Sequence, residues 1–233
     1  MSLGLGSTLK KSGVITPGII TDNLVMKHNY ATNGNIPVSD GAAYFDASNS
    51  HVQLTDPFNH TNITVSAWVY RIDDGNTQIV FSNQDDANDG FSLFITDDEH
   101  VRCKVNSTTS DEVTGTLIVA NTWNHVAATV TDNSIIKVYV NGVFADDKSL
   151  SGSIASATNA RIGLSAFDNT LDHKGYICNV GVWSSVLIQA QIKSIMWKNY
   201  ADLTSTETDN LVSWWNLSAD ANDSHGSNNG TLS

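Results

Sequence analysis

The acidic side chains are the first residues to consider for chemistry, because the chain has 24 Asp and Glu against 12 Lys and Arg. A retaining glycosidase needs two carboxylates about 5 Å apart, one on each side of the scissile bond. On a strand, two such residues would lie two or four positions apart. Glu99, Glu112 and Glu207 are much further apart than that. We therefore predict no glycoside hydrolase site in this chain.

The aspartates form doublets in turn-like segments, such as Asp73-Asp74 and Asp97-Asp98. Adjacent side chains on a strand point to opposite faces, so a doublet is a poor catalytic pair. The chain has no Gly-x-Ser-x-Gly elbow, and its His and Cys residues lack the spacing of zinc ligands. We expect His125, which follows Trp123 in a strand, to be structural. The sequence as a whole predicts a protein that is not an enzyme.

Calcium is the one metal that the sequence leaves open, because Ca²⁺ binds six to eight hard oxygen ligands. Two loops are rich in such oxygens, although neither has the spacing of an EF-hand. Ordinary solvated loops are the alternative interpretation, so a structural calcium is the only cofactor considered. The candidate ligands are Asp85, Asp86, Asn88 and Asp89 in one loop, and Asp168, Asn169 and Asp172 in the other.

Carbohydrate binding is a second possible chemistry, since sugars bind to aromatic side chains combined with a few hydrogen-bonding groups. If Trp214 and Trp215 lie on a strand, they point to opposite faces, so we expect at least one in the core. The candidate sugar-binding residues are Trp214, Trp215, Phe167, Asp168 and Asn169.

The elements that position these groups are predicted to be short antiparallel strands. Residues 63–70 alternate with period two, with Ile63 and Val65 on one face and Trp68 on the other. Asn141-Gly142 between two apolar runs predicts a type I′ hairpin. One short helix is predicted near residues 186–200, with Ser184 or Ser185 as its N-cap. The expected fold class is all-β, an antiparallel two-sheet jelly-roll sandwich.

The two ends of the chain are predicted to differ from its centre. Residues 1–20 are expected to be an extended arm, followed by one sandwich domain over residues 21–233. Thr21–Val25 recurs as Thr208–Val212, either by chance or because both segments start equivalent strands. A terminal strand could then close its own sandwich or pair with another copy. We expect the arm to dock on a partner by burying Val14, Ile15, Ile19 and Ile20.

Charge and hydropathy exclude some partners. The net charge is −12 and no basic stripe is present, so we expect no nucleic-acid partner. No segment is apolar enough for membrane insertion or for a Sec signal, so we expect synthesis in the cytoplasm without export. Cys103 and Cys178 lie in apolar runs and are expected to be buried thiols, with a long-range disulfide as the alternative.

Several of these stretches resemble the laminin-G-like branch of the concanavalin A-like lectins over residues 41–200. The resemblance implies a jelly-roll sandwich, for which calcium at the rim is common. The similar stretches are Gly41–Asp46 with His51–Leu54, Thr64–Val69, Thr122–Ala127 with Lys137–Gly142, Arg161–Gly163 and Gly175–Trp183.

Residues 208–233 depart from that pattern, because they look like a first strand that comes last. This layout resembles laminin-G-like structural proteins of tailed bacteriophages. The resemblance implies a virion protein, such as a capsid decoration, fibre or tail component, made in the host cytoplasm. It would associate with other virion proteins or further copies of itself, and we expect a homo-oligomer. The alternative is a carbohydrate-binding module or adhesin that recognises a host-surface glycan.

Overall fold

The computed structural model describes residues 37–84, 86, 88–106, 112–167 and 169–233. They form an antiparallel two-sheet sandwich with one short helix, which confirms the predicted fold class. The predictions for the arm at residues 1–20, including Val14, Ile15, Ile19 and Ile20, and those for Thr21–Val25, Asp85 and Asp168, lie outside the described residues.

The described chain contains fourteen strands, one α-helix and one 3₁₀ turn at Tyr200–Asp202. The strands are β1 Ala43–Asp46, β2 Val52–Leu54, β3 Asn62–Arg71, β4 Gln78–Ser82, β5 Phe91–Ile95, β6 His100–Val105, β7 Glu112–Leu117, β8 Trp123–Thr131, β9 Ile135–Val140, β10 Val143–Ser149, β11 Ala160–Ile162, β12 Lys174–Trp183, β13 Leu211–Trp215 and β14 Thr231–Leu232. The helix, α1, is Gln189–Ile195.

The strands form two seven-stranded sheets. Sheet A has the order β1-β12-β3-β8-β9-β10, and β13 also pairs with β12. Sheet B has the order β14-β2-β11-β4-β5-β6-β7. The main hydrophobic core lies between the two sheets, which leaves each sheet an outer face for other contacts.

Strand β3 shows how the sequence pattern builds this core. Ile63, Val65 and Val69 are buried between the sheets, as their period-two spacing predicts. Each such aliphatic side chain contributes roughly 1.5–3 kcal/mol when it is fully buried. Trp68 points to the outer face of sheet A and is buried there, where its Nε1 donates to the carbonyl of Met196 at 2.6 Å. Both faces of β3 are therefore covered at this point.

The predicted type I′ hairpin joins β9 and β10. Asn141 has φ +51° and Gly142 has φ +73°, the two positive values that this turn requires. The side chain of Asn141 also accepts a hydrogen bond from the backbone N–H of His125 at 2.9 Å. The hairpin prediction is therefore confirmed, and the turn is fastened to β8.

The helix exists, but it is shorter than the predicted range of 186–200. Its N-cap is Ile188, whose backbone N–H donates to the side chain of Gln191 at 2.9 Å. The expectation of a cap at Ser184 or Ser185 is wrong, because Ser184 donates to the carbonyl of Asn210 and lies before the turn into the helix. Helix α1 buries Ile192 and Ile195 on the outer face of sheet A.

The two cysteines are free and buried, so the expectation of two buried thiols is confirmed. Burial raises the pKa of both thiols to about 12, with a smaller contribution from Glu112 at Cys103 and an opposing hydrogen bond from Ser39 at Cys178. Within the described ranges, every helix is too short or too polar to traverse a lipid bilayer.

The second copy of the repeat, Thr208–Val212, leads into β13, as expected of a strand start. After β13 the chain crosses to sheet B, where β14 pairs with β2. In this structure the terminal strand therefore closes its own sandwich.

Candidate functional site

The outer face of sheet B contains a groove of about 440 Å³, which we call the sheet B groove. Its floor is made by β4, β5 and β6, with β7 at one side. The loop between β11 and β12 forms the opposite wall. Its lining residues include Gln84, Ser92, Phe94, Asp97, Arg102, Lys104, Glu112, Phe167 and Leu171.

The floor follows from strand alternation. In β6, Val101, Cys103 and Val105 are buried in the core, so Arg102 and Lys104 must point outward. Arg102 lies opposite Phe94 of β5, and Lys104 lies opposite Ser92. Each row across the sheet therefore places one cationic side chain beside an aromatic or hydroxyl group.

The polar groups of the floor are held by one another. Nη1 of Arg102 donates to Oε1 of Glu112 at 2.8 Å, and Nζ of Lys104 lies 3.9 Å from Oε2 of the same carboxylate. The hydroxyl of Ser92 donates to Oε1 of Gln84 at 3.3 Å. These contacts fix the directions of donors and acceptors before any ligand arrives.

Asp98 supports the same network from the β5–β6 turn. Its Oδ2 lies 3.7 Å from Nη2 of Arg102, and its Oδ1 lies 3.2 Å from Nδ1 of His100. A hydrogen bond from Thr96 is the largest effect and lowers the pKa of this carboxyl; burial opposes it, and the contacts with His100 and Arg102 lower the pKa further. The carboxylate therefore helps to hold Arg102 in place.

The wall contains Phe167, one of the residues that the sequence singled out for sugar binding. Its side chain is 46% exposed and lines the groove together with Leu171. Asn169, also singled out, accepts a hydrogen bond from Nη1 of Arg161, which further donates to the carbonyl of Ser165 at 3.0 Å. Asn169 thus helps to fix the loop that presents Phe167.

Trp214 and Trp215 do not lie at this site. Trp214 is 1% exposed and packs with Trp183 beneath α1, while Trp215 is 0% exposed and packs against Phe58 between the sheets. The expectation that this pair offers a sugar platform is therefore wrong. Helix α1 covers the outer face of sheet A at Trp214, so the tryptophan that points away from the inter-sheet core is buried as well.

The oxygen-rich loops do not converge on a metal in the described part of the chain. Asp86 accepts from the N–H of Asn88 at 3.2 Å, and Asp89 accepts from the N–H of Asp86 at 3.0 Å, as in ordinary turns. Oδ2 of Asp172 accepts from the N–H of Asn49 at 3.1 Å. Among the described residues, no group of three or more His, Cys, Asp or Glu side chains could hold a metal. These loops therefore give no support to the calcium site that the sequence leaves open.

The histidine to which the sequence assigns a structural role lies in β8. His125 is buried beside Trp68, and burial lowers its pKa to about 3, so that it is neutral at ordinary pH. It lies on sheet A, away from the groove. Its expected structural role is consistent with this position.

Sequence reasoning missed the floor of the groove. The signal was present in β6, where the polar residues His100, Arg102 and Lys104 alternate with buried apolar residues. That pattern assigns a polar outer face, but it does not show which strands lie beside β6. The partners Phe94 and Glu112 are joined to it only by the strand order of sheet B.

The comparisons with known proteins agree with this architecture. A family model described as the concanavalin A-like lectin/glucanases superfamily matches residues 45–193. No curated protein sequence matches the chain.

Many solved structures share the fold, among them the following three. A proposed carbohydrate-binding protein from Bacteroides ovatus has a TM-score of 0.64 at 19% identity; the match covers 86% of this chain and 59% of that protein. The CBM40 module of the Ruminococcus gnavus IT-sialidase, bound to α2,3-sialyllactose, has a TM-score of 0.55 at 13% identity, covering 67% and 96%. Domain 4 of the arabinanase AbnA from Geobacillus stearothermophilus, in complex with arabinotriose, has a TM-score of 0.52 at 22% identity, covering 70% and 82%.

This chain thus spans about three fifths of the length of the Bacteroides ovatus protein. The expected virion setting and homo-oligomeric state stay predictions, which these comparisons do not support.

Proposed function

Since this chain belongs to the concanavalin A-like lectin/glucanase superfamily, we propose that it is a carbohydrate-binding module with its glycan site in the sheet B groove. One observation supports this most: an exposed aromatic side chain, Phe167, lines the same groove as a preorganised set of hydrogen-bonding side chains. Aromatic rings with a few fixed polar groups are the combination that binds sugar rings.

In this proposal, Phe167 packs on the apolar face of a sugar ring that rests on the floor. Arg102 donates to sugar hydroxyls, while Glu112 and Gln84 accept from them. The Arg102–Glu112 ion pair already fixes these groups, so little side-chain entropy is lost on binding. The groove therefore suits a polar, uncharged hydroxyl-rich ligand more than an apolar one.

The solved structures add support of a general kind. The Ruminococcus gnavus module and the arabinanase domain were each determined with a bound oligosaccharide. Both have the sandwich fold of this chain, but their identities of 13% and 22% do not transfer a particular sugar. The identity of the glycan in this groove is therefore left to experiment.

The groove is better suited to binding than to hydrolysis. Two carboxylates, Glu112 and Asp97, are among its described lining residues. Glu112 already has Arg102 and Lys104 as cationic partners, and Asp97 lies in the β5–β6 turn, where it accepts from the backbone N–H of Asp98 at 3.1 Å. A hydrolase would need the Glu112 carboxyl, or a second one across the bond, to exchange a proton with the substrate. We accordingly propose a binding domain without catalytic activity of its own.

The test is an oligosaccharide array probed with the purified chain, with Phe167→Ala and with Phe144→Ala. Phe144 is a matched control, because it is 42% exposed and lies on β10 of sheet A. We expect the chain and Phe144→Ala to bind the same glycans and Phe167→Ala to lose at least one of them. Equal binding by all three proteins, or no binding by any, would overturn the proposal.

Attachment to a virion through residues 2–20 is a separate proposal that rests on the sequence resemblance alone. Light scattering after size-exclusion chromatography tests it on the full chain and on a deletion of those residues. An oligomer that becomes a folded monomer on deletion supports it. A full chain that is monomeric rules out self-association through these residues, and a deletion that does not fold contradicts their role as an arm.

A further inference from the structure

We propose a second glycan-binding surface on the outer face of sheet A, specific for neutral saccharides and independent of the sheet B groove. It consists of four aromatic side chains, which we call the aromatic row: Tyr44, Tyr176, Tyr70 and Trp123.

The aromatic row follows directly from strand register. Tyr44 of β1 lies opposite Tyr176 of β12, Tyr176 lies opposite Tyr70 of β3, and Tyr70 lies opposite Trp123 of β8. One aromatic residue therefore occupies the same level on four neighbouring strands. With strands about 4.8 Å apart, the row extends over roughly 14 Å across the sheet.

The rings touch one another along the row. The ring centroids are 5.0 Å apart for Tyr44–Tyr176, 5.9 Å for Tyr176–Tyr70 and 5.7 Å for Tyr70–Trp123. Trp123 and Tyr176 also approach each other at 6.4 Å, so both lean over Tyr70. These contacts hold the rings in fixed orientations and so reduce the entropy that would be lost on binding a ligand.

The aromatic row is partly open to solvent, unlike the part of this face that lies under helix α1. Helix α1 covers the neighbouring cluster around Trp183, Leu187 and Trp214. In contrast, Tyr44 is 53% exposed and Tyr176 is 40% exposed. Single exposed apolar side chains are ordinary, but adjacent exposed rings in contact on one sheet are the kind of patch that marks a binding surface.

A hollow of about 390 Å³ adjoins the row and supplies the polar groups. It is lined by Tyr70, Trp123 and Tyr176 on one side and by the segment 37–42 on the other. This segment is anchored to the sheet, because Nδ2 of buried Asn179 donates to the carbonyl of Val38 at 2.7 Å. The segment brings Ser39 and Asp40 to the edge of the aromatic surface.

The charge of the hollow selects the class of ligand. Asp40 is the one charged residue among its described lining residues, and no Lys or Arg accompanies it there. A carboxylate without a cation accepts hydrogen bonds from hydroxyls and repels acidic sugars. The aromatic rings supply the stacking surface that a sugar ring needs. A neutral oligosaccharide lying along the row meets both requirements.

The two surfaces lie on opposite sheets, so one copy of the chain could hold two glycan chains at once. Such a molecule would cross-link or would gain avidity on a surface rich in glycans. The groove and the row share no lining residue, so a substitution can remove glycan binding at one surface and leave it at the other.

Isothermal titration tests the row in a Phe167→Ala background, in which the groove is disabled. The probes are neutral cello-, xylo-, manno- and malto-tetraose, with α2,3-sialyllactose as the acidic probe and choline as the cationic one. We expect at least one neutral probe to bind with a stoichiometry of one and the acidic probe to bind more weakly.

Adding Tyr176→Ala should weaken the neutral ligand at least about tenfold, which corresponds to a loss of about 1.4 kcal/mol. Adding Tyr176→Phe should retain the binding, because the ring remains, and adding Phe144→Ala should leave it unchanged. Thermal melting of each variant controls for folding, and Tyr44→Ala, at the edge strand, provides a second test if Tyr176→Ala unfolds.

The proposal is overturned if no neutral probe binds, if binding survives both Tyr176→Ala and Tyr44→Ala, or if only choline binds. The last result would make the row a site for organic cations. A groove that does not bind glycans would be detected by a separate experiment, because Phe167→Ala in the otherwise natural chain would then bind the same glycans on the array as the natural chain does.

Discussion

Arg102 of β6 and Glu112 of β7 form a diagonal ion pair between adjacent strands, with Nη1 of the arginine 2.8 Å from Oε1 of the glutamate. Both side chains are partly exposed and line the sheet B groove. The pair therefore has a double role, since it joins two strands and also presents a donor and an acceptor to a ligand. A partly exposed pair of this kind contributes up to about 1 kcal/mol to folding.

Glu112→Gln should separate these two roles. The variant removes the ion pair but preserves the shape of the side chain, so we expect a small loss of stability and roughly tenfold weaker glycan binding. Titration calorimetry with a ligand from the array measures the affinity, and urea unfolding measures the stability. Asp147→Asn, an exposed change on β10, is the control. An unchanged affinity for Glu112→Gln would remove this carboxylate from the site.

Glu207 fastens the segment after α1. Its carboxylate accepts from Nζ of Lys198 at 2.6 Å, from the hydroxyl of Ser194 at 2.6 Å and from the N–H of Thr204 at 2.8 Å. Burial alone would raise the pKa of this carboxyl, but the hydrogen bonds from Lys198, Ser194 and Thr204 outweigh it and lower the pKa to about 2.

Because this pKa is lower in the folded state, its stabilisation is complete above about pH 4.5 and is lost as the pH falls towards 2. The difference corresponds to roughly 3 kcal/mol at neutral pH. We expect Glu207→Gln to lose most of this stabilisation at pH 7 and much less of it at pH 3. The free energy of urea unfolding of the variant and of the natural chain measures the loss. Asp209→Asn is the matched control, since Asp209 is exposed two residues away. A gap between Glu207→Gln and the natural chain that stays constant with pH would contradict this role.

Gly142 combines a positive φ with close packing. A Cβ there would lie 2.7 Å from the sulfur of Met196 and 2.9 Å from Cγ of Lys193, so the hairpin abuts the end of α1. Gly75 has nearly the same φ, +75° against +73°, but nothing within 4 Å of its position for a Cβ.

Gly142→Ala should therefore destabilise the protein by about 1–3 kcal/mol more than Gly75→Ala. Both substitutions place a Cβ on a backbone with positive φ, but only the Cβ at position 142 overlaps with the side chains of Met196 and Lys193. Thermal or urea unfolding of the two variants measures the difference. Equal losses of unfolding free energy in the two variants would contradict this expectation, because the side chains at the end of α1 would then move aside without destabilising the protein.

The buried thiols provide a test of the core. Because burial raises the pKa of Cys103 and Cys178 to about 12, neither should react with a thiol reagent at pH 8 in the folded protein. Both should react at once in urea. Rapid reaction of one thiol in the native state would show that the sandwich opens locally at that strand.

The sequence predicted the features that depend on neighbouring residues. The alternation of β3 and the Asn141-Gly142 turn both rest on local geometry, and both are confirmed. The assignment of Trp214 and Trp215 to a ligand surface failed because strand alternation gives two faces without showing that α1 covers one of them.

The site residues show the same limit. Phe167 stands out locally as an aromatic residue beside Asp168 and Asn169, and it does line the groove. The groove floor and the aromatic row each combine residues from several strands that are distant in sequence. Only the strand order brings Arg102 to Glu112 or Tyr44 to Trp123, and periodicity does not give that order.

The most direct measurement of the central claim is an NMR titration of the ¹⁵N-labelled chain with the strongest ligand that Phe167→Ala loses on the oligosaccharide array. If the glycan binds in the sheet B groove, the shifted amides should cluster at Ser92, Arg102, Glu112 and Phe167, and Phe167→Ala should abolish those shifts. Shifts that avoid these residues, or the absence of any shift at saturating ligand, would contradict carbohydrate binding in the groove.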